Sequence, residues 1–560
     1  MKDIIRKYAL LNAVQHDGTA SQGAVMGKAI AEKPELKGDM GALAKEIASV
    51  LKEVNALSPE DQKKELEKLG PIEKPEKKQR EGIPDLPNVK GKVVMRFAPN
   101  PNGPLHIGHV RQAILNDEYV KRYGGEFILR FDDTDPKTEG KQPMKEAYDW
   151  MERDLGWLGI VIGKVSAASS RLEIYYAHFG KLLEMGKAYV CTCDAERWRK
   201  MKERKEACPH REEPPAAQEE RWRKMLGDCE EGKAVARIKT DICHPDPAAR
   251  DWAAFRIIAR PNHAKTGNTY RVWPLLDFAS AIDDHEFGTT HIIRGVDLNI
   301  SEVRQRFLYG YFSWEYPSAI TTGKFSVKDT LMSKSKIFAG ISTGDFTGWD
   351  DPRLATIMAL RRRGFNARAI RNLILEVGIN AANIEIDMVA LEAHNRKLID
   401  SKASRYFFVE DPHKVAVKGA PSQTVELKLH PDDAGRGKRA HKTGEEFFIS
   451  GKDHDMLKKG KLYRLMDCLN FVWEGKDASF HSLAHDEYRK GGEKIMHWLP
   501  VGEHLADAEV MMPDRSAAKG VAEQMAGGLN VGDVIQFERF GFCRLDAKEG
   551  KLLKFWYTHK

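Results

Sequence analysis
Apolar residues recur along the chain with two different periods. From residue 2 to about residue 69 the period is helical: Ile4, Ile5, Tyr8 and Leu11 share one face, and Leu43, Ile47, Leu51 and Val54 repeat at intervals of three and four. This predicts a small helical appendage. KVVMRF (92–97) and EFILRF (126–131) read instead as buried strands, separated by a Pro/Gly turn and a helical segment from about His106 to Arg122. A strand, helix, strand order of that length is a βαβ unit, which implies a parallel sheet with ligands at the carboxyl ends of its strands. The alternation continues over 146–158 and resumes over 271–284 and 291–312. Between about 190 and 270 the texture shifts to Cys, paired Pro and Trp-rich basic stretches, the mark of an insertion. Residues 350–405 turn helical and arginine-rich. From about Phe407, short Val, Phe and Leu runs broken by Gly, Pro and Asp predict β-barrels.

The predicted fold class is therefore α/β multidomain, with four regions. They are a helical appendage and linker (1–90), a Rossmann-type catalytic domain (91–349) with an inserted module at about 190–270, a helical domain (350–405) and antiparallel β-barrels (406–560). The first boundary rests on 14 charged side chains within residues 59–82, with Pro71 and Pro75 among them. Those charges read as a solvated helix end and linker, with contact to a nucleic acid as the sharper alternative.

Composition narrows the class. With 42% hydrophobic and 31% charged residues over 560, the chain is too apolar for disorder and too long for one ordinary domain. A net charge of +7, from 89 basic and 82 acidic side chains, means that a nucleic acid must be met by local clusters. Seven cysteines are too few for a disulfide scaffold. No window has the ~18 to 20 apolar residues that span a bilayer, and the charged N-terminal stretch lacks the apolar core of a secretory signal. A soluble, cytoplasmic protein with reduced thiols is expected.

The chemistry begins at RFAPNPNGPLHIGH (96–109). Three prolines and a glycine turn the chain out of a strand, and His106 and His109 fall in the first turn of a helix. Unpaired amides, roughly half a positive charge and two imidazoles on one face suit a polyphosphate. About 220 residues downstream, LMSKS (331–335) followed by Lys336 lies in a polar, Gly-containing stretch that can carry ammonium groups over phosphates.

Together the two segments resemble the HIGH and KMSKS signatures of class I aminoacyl-tRNA synthetases, with Leu331 in place of the first Lys. GGEFILRFDDTDP (124–136), AIDDHEFGTTHIIRG (281–295), GWDDPRL (348–354) and FERFGFCRLD (537–546) resemble blocks of glutamyl-tRNA synthetases of the archaeal type. The resemblance runs from about residue 90 to the end. It implies activation of L-glutamate by ATP to an adenylate, then transfer to the terminal adenosine of tRNA(Glu), with charging of tRNA(Gln) left open. ATP contacts are implied for Pro99, Asn100, His106, Gly108, His109, Met332, Ser333, Lys334 and Ser335. His106, His109 and Lys334 would do the catalysis, the lysine closing over the departing pyrophosphate. Mg²⁺ would accompany ATP on the phosphate oxygens. Glutamate contacts are implied for Arg96, Ala98, Asp132, Asp277 and Arg294, with Arg96 on a carboxylate and Asp132 on the α-ammonium. Arg294, and Asp135 in place of the usual Asn, favour glutamate over glutamine. Leu276 replaces a tyrosine that relatives place near the substrate, and Asp277 is the neighbouring substitute.

Cys191-Thr-Cys193, fourteen further residues and Cys208-Pro-His210 offer three thiolates and one imidazole, a closed set for structural Zn²⁺. Unliganded thiols, like the scattered Cys229, Cys243, Cys468 and Cys543, are the alternative. Arg353, Arg361, Arg362 and Arg363 sit in a helical pattern with Arg368 and Arg371 and suit a tRNA backbone. Phe537, Phe540 and Trp556 read as barrel core rather than stacking platforms. A monomer is expected. The rival functions are a glutaminyl-tRNA synthetase, a cytidylyltransferase-like nucleotidyltransferase and a non-catalytic tRNA-binding scaffold.

Overall fold
A computed structural model describes residues 2–15, 18–69, 82–502 and 504–560. The chain forms two compact units, residues 1–81 and 82–560. The linker stretch around Pro71 and Pro75 lies outside the described residues.

The first unit is helical: α1 (Lys2–Gln15), α2 (Gln22–Glu32), α3 (Met40–Asn55) and α4 (Pro59–Lys68). Asp39 and Ser58 cap α3 and α4 by accepting the Ala42 and Asp61 amides. The core stripe is turned from the expected one. Ile5, Ala9, Leu10 and Ala13 of α1 meet Leu43, Ile47, Val50 and Val54 of α3, while Ile4, Tyr8 and Leu51 pack at the margin. Alanines lie inside because closely packed short helices leave little room for larger side chains.

The second unit starts with β1 (Val94–Phe97), α5 (Ile107–Tyr123), β2 (Glu126–Phe131), α6 (Lys145–Trp157), β3 (Lys164–Ala167) and α7 (Leu172–Glu184). An insertion follows: β4 (Ala188–Cys191), α8 (Ala195–Arg204), α9 (Pro215–Leu226), β5 (Val235–Ile238), β6 (Ala253–Ile257) and β7 (Val272–Pro274), whose four strands form an antiparallel sheet. The chain then returns through α10 (Leu276–Glu286), β8 (His291–Gly295), α11 (Asn299–Phe312) and β9 (Ser318–Thr322). The main sheet has the order β3-β2-β1-β8-β9 and every pairing in it is parallel. Chain order runs outward from β1 on one side and from β8 on the other, so the crevice at their carboxyl ends is a topological switch point.

Next come β10 (Phe325–Val327), α12 (Lys334–Thr343), α13 (Ile357–Arg362), α14 (Ala367–Val377), β11 (Ile384–Ile386) and α15 (Met388–Ile399). Leu360, Phe365, Ile370 and Leu373 share one core with Met95, Phe97, Ile107 and Leu129. The helical segment therefore has no separate core from the catalytic sheet. The rest is β-rich. One seven-stranded sheet is built from 405–410 and 506–559, and the other from 412–500. Pairing is mostly antiparallel, with parallel ladders such as Ala506–Met511 against Leu552–His559. Phe537 and Trp556 are buried and Phe540 packs against the same core. No described helix is long and apolar enough to cross a membrane.

Candidate active site
The turn after β1 is pinned from both sides. Ile107 N donates to Ala355 O at 3.1 Å and Ile357 N to Leu105 O at 2.9 Å, locking the start of α5 to that of α13. His106 is not within the first helical turn but caps it, its Nδ1 accepting the Gly108 amide at 3.2 Å. The His106 and His109 rings stack with centroids 3.6 Å apart. Burial, reinforced by Lys334, holds His106 at about 3, and burial holds His109 well below the usual imidazole range. Both rings are neutral at pH 7, so they offer directed hydrogen bonds rather than charge. A Cβ on Gly108 would come within 2.7 Å of Met332 Cε and 2.9 Å of the Phe325 carbonyl, so only glycine admits the downstream loop here.

A cleft of about 1080 Å³ opens at this helix start. His106, Gly108 and His109 line it with Leu331, Met332, Ser333 and Lys336, as do Thr322 to Val327 and Asp297. Ser333 precedes α12, and Lys334 is that helix's first residue. Lys334 corrects the expectation of a lysine poised over the cleft. It is buried, and its Nζ donates at 3.1 Å to the carbonyls of Asn100 and Gly103, while Lys336 faces the cleft instead. Burial lowers Lys334 to about 7, against the opposing pull of Asp154. Ser335 Oγ donates to Gly140 O at 2.9 Å, and Asn100 and Asn102 side chains donate to Lys141 O and Gly140 O. Thus the LMSKS segment is folded down onto the turn that carries Pro99.

Next to it is a small cavity of about 80 Å³ lined by Arg96, Ala98, Gln112, Leu276, Ser280, Arg294 and Gln305, among others. Arg96 comes from β1 and Arg294 from the adjacent β8. Arg96 is doubly bonded to Asp284, at 2.9 and 3.2 Å. Burial works against its charge, but the Asp284 carboxylate outweighs it and holds the guanidinium above its ordinary value. Arg294 is 4% exposed and has no carboxylate partner among the described residues. Its Nη2 donates to Tyr316 Oη at 2.7 Å and Gln305 Oε1 at 3.3 Å, and its buried Nη1 has no hydrogen-bond partner among the described residues. Asp284, Tyr316 and Gln305 were not singled out from sequence. Asp284 lies in the 281–295 segment, but its partner is 188 residues away.

Two implied glutamate ligands are occupied elsewhere. Asp277 accepts Arg304 Nη1 at 2.5 Å and does not line the small cavity, whereas Leu276 does. Asp132 accepts Arg130 Nη1 at 2.9 Å. Burial raises its pKa above the ordinary carboxyl value, and Arg130 offsets that only in part. Asp135 is taken up by Arg256 at 2.8 Å and by the Thr138 amide at 3.1 Å, so it shapes the turn after β2.

The inserted sheet carries a second constellation. The ligand atoms of Cys191, Cys193, Cys208 and His210 all lie within 4.8 Å of one another. Cys208 Sγ is 3.5 Å from Cys191 Sγ and 3.6 Å from Cys193 Sγ, and His210 Nδ1 is 3.3 Å from Cys208 Sγ and 3.5 Å from Cys193 Sγ. A tetrahedron with Zn–S bonds near ~2.3 Å has edges of about 3.75 Å, so the donor set fits that ion with small relaxation. His210 Nε2 bonds Thr192 Oγ1 at 3.0 Å, which orients the ring.

The arginine cluster is largely internal. Arg363 is buried, with Nη2 donating to Thr558 O at 3.0 Å, which corrects its assignment to a phosphate backbone. Arg362 forks onto Asp546 at 3.0 and 2.7 Å and also reaches Asp350. Arg353 is held by Asp351. The Arg361 side chain has no hydrogen bond or ion pair among the described residues, though its charge acts on the buried Asp154 carboxyl.

Comparison with known proteins gives three matches to family models. The model for tRNA synthetases class I (E and Q), catalytic domain, matches residues 92–401, and models for the anti-codon binding domain match 403–484 and 495–546. A glutamate–tRNA ligase of Pyrococcus abyssi is 48% identical over all of this chain and 99% of its own length. One of Pyrococcus furiosus is 48% identical over 99% of each, and one of Methanothermobacter thermautotrophicus is 43% identical over the full length of both.

Proposed function
The chain belongs to the class I tRNA synthetases for glutamate and glutamine, and from that membership we propose that it attaches L-glutamate to the 3′ end of tRNA(Glu) through a glutamyl adenylate, at the expense of ATP. The observation that carries the choice of amino acid is Arg294 Nη1, buried without a hydrogen-bond partner among the described residues beside the cavity that Arg96 and Ala98 also line. A guanidinium whose second arm is free inside a protein calls for an anion, and a side-chain carboxylate supplies one. Glutamine would bring an amide and leave the charge uncompensated. A glutaminyl enzyme is accordingly disfavoured.

ATP would lie in the large cleft, its phosphates against the start of α5 and the neutral rings of His106 and His109. Pro99, Asn100, Met332, Ser333 and Ser335 frame the turn and loop around it, and Ala98 lines the glutamate cavity. The glutamate α-carboxylate attacks the α-phosphorus, and pyrophosphate leaves with the bridging electron pair, so no side chain need act as nucleophile. Catalysis is positioning plus electrostatic stabilisation. Lys334 and Lys336 would engage the leaving group once polyphosphate draws the loop over. Mg²⁺ would come with ATP on phosphate oxygens. Cys191, Cys193, Cys208 and His210 would hold a structural Zn²⁺. A cytoplasmic monomer belongs to the same proposal.

The test is attachment of labelled glutamate and, separately, glutamine to transcripts of tRNA(Glu) and tRNA(Gln) at fixed salt. Glutamate on tRNA(Glu) is expected, and glutamate on both would mark a nondiscriminating enzyme. Attachment of glutamine would overturn the assignment of Arg294.

A further inference from the structure
Arg294 is held from behind by two uncharged groups. The Tyr316 hydroxyl accepts from Arg294 Nη2 and donates to Gln305 Oε1 at 2.8 Å, and the same Gln305 oxygen accepts from Nη2 at 3.3 Å. Which end of the Gln305 amide faces the arginine is fixed by its other neighbours. The Ser280 hydroxyl donates its single proton to Leu276 O at 2.7 Å, so it can only accept from Gln305 Nε2, 2.8 Å away. Asp277 O is also within 3.3 Å of Nε2. The amide nitrogen is therefore committed to α10, and the oxygen to Arg294.

The contrast with Arg96 gives this network its meaning. Arg96 is neutralised on the spot by Asp284, whereas every partner of Arg294 aims it without cancelling its charge. Asp277 of α10, whose carbonyl accepts from Gln305, gives its carboxylate to Arg304. We propose that Gln305 and Tyr316 are positioning residues for amino-acid specificity: they hold Arg294 pointed into the small cavity and leave its charge for a side-chain carboxylate to balance. This rests on the reading that Arg294 takes the glutamate side chain. A carboxylate at position 305 would balance Arg294 from inside the protein and remove the advantage of glutamate over its amide.

The test uses the full chain, with kcat and KM for glutamate, glutamine and ATP measured by aminoacylation of the tRNA(Glu) transcript. Gln305→Glu is expected to raise the glutamate KM about tenfold to a hundredfold, with kcat and the ATP KM nearly unchanged. The glutamate-to-glutamine ratio of kcat/KM should fall by a similar factor. Gln305→Leu, which removes the acceptor without adding charge, should lose clearly less of that ratio. A wild-type ratio in Gln305→Glu, or equal losses in the two variants, overturns the proposal, since a purely structural role would treat them alike. If Gln305→Glu does not fold, Tyr316→Phe decides. A glutamate KM raised about threefold or more at constant ATP KM supports the proposal, and an unchanged one overturns it. Wild-type protein that prefers glutamine would sink the reading of Arg294 itself, a result separate from all of these.

Discussion

Arg96 and Arg294 project from adjacent parallel strands into one small cavity, and among the described residues only Arg96 of the two has a carboxylate partner. Of the two, Arg96 is hydrogen-bonded to Asp284. The substrate-free protein thus bears the cost of a buried, unbalanced guanidinium, which is recovered when an anion enters.

Replacing Arg294 should separate stability from function. Arg294→Leu removes the unbalanced charge, so the melting temperature is expected to stay level or rise. Loss of a buried, charge-assisted contact costs about 2 to 5 kcal/mol of binding, which places the glutamate kcat/KM roughly 30-fold to several thousandfold lower. Steady-state aminoacylation beside thermal melts would check both. A melting temperature that falls along with activity would show the residue to be structural.

Lys334 offers a test through pH. Burial brings its folded-state value to about 7, against 10.5 for an ordinary lysine. Between those two values the unfolded chain binds the proton more tightly than the folded one, so this group's contribution to stability rises with pH across the window. Lys334→Met lacks that dependence. Relative to it, the wild-type protein should gain stability from pH 7 to 9.5 in denaturant titrations, and a constant difference would contradict the burial. Lys334→Ala should slow glutamate activation by about 10² to 10³ while glutamate binding changes little. ATP binding at pH 8 should take up a proton as phosphate restores the ammonium, visible as a buffer-dependent binding enthalpy.

Sequence pattern reaches some of these features and not others. The strand Glu126–Phe131 and the helix after His106 were legible because the first is a short, largely apolar run and the second follows a Pro/Gly turn. The four zinc-type ligands were legible because they come in two short pairs. Partners far apart in the chain were not: Asp284 lies in a block noted for other reasons, and nothing near it points to Arg96. The basic run at 361–363 misled for a related reason. Local sequence shows three arginines in a row, but whether they meet RNA or protein depends on Asp546 and Thr558, some 180 to 195 residues later. In the N-terminal unit, Leu11 and Leu51 fit a helical period, yet Ala9, Leu10 and Val50 are the buried residues. Periodicity gives the existence of a stripe more securely than its rotation.

The cysteine cluster predicts metal dependence without loss of the catalytic centre. Purified protein should carry close to one zinc per chain by elemental analysis, and Cys208→Ser should carry well under one. Chelation should lower the melting temperature, because a closed four-ligand site contributes its binding energy to folding. As the ligands belong to the inserted sheet, the KM for glutamate should change less than the KM for tRNA. Metal-free protein of unaltered stability would leave these thiols unliganded.

The basic helix can be divided by salt. Arg361 is the member of 361–363 whose side chain makes no hydrogen bond or ion pair among the described residues, though its charge acts on the buried Asp154 carboxyl, and it is the one expected to meet a phosphate. Arg361→Ala should weaken tRNA binding at every ionic strength and reduce the slope of log affinity against log salt by about one. Arg363→Ala should instead lower stability, since it strands the Thr558 carbonyl, and leave that slope unchanged. Arg362 ties the end of α13 to Asp546, with its side chain still 38% exposed. Exposure limits that pair to about 1 kcal/mol, so a double-mutant cycle of Arg362→Ala and Asp546→Ala should return a coupling of that order. Filter-binding titrations of the three single variants across salt would separate the roles. A slope lowered by Arg363→Ala and untouched by Arg361→Ala would mean that tRNA binding opens the contact with the C-terminal sheet.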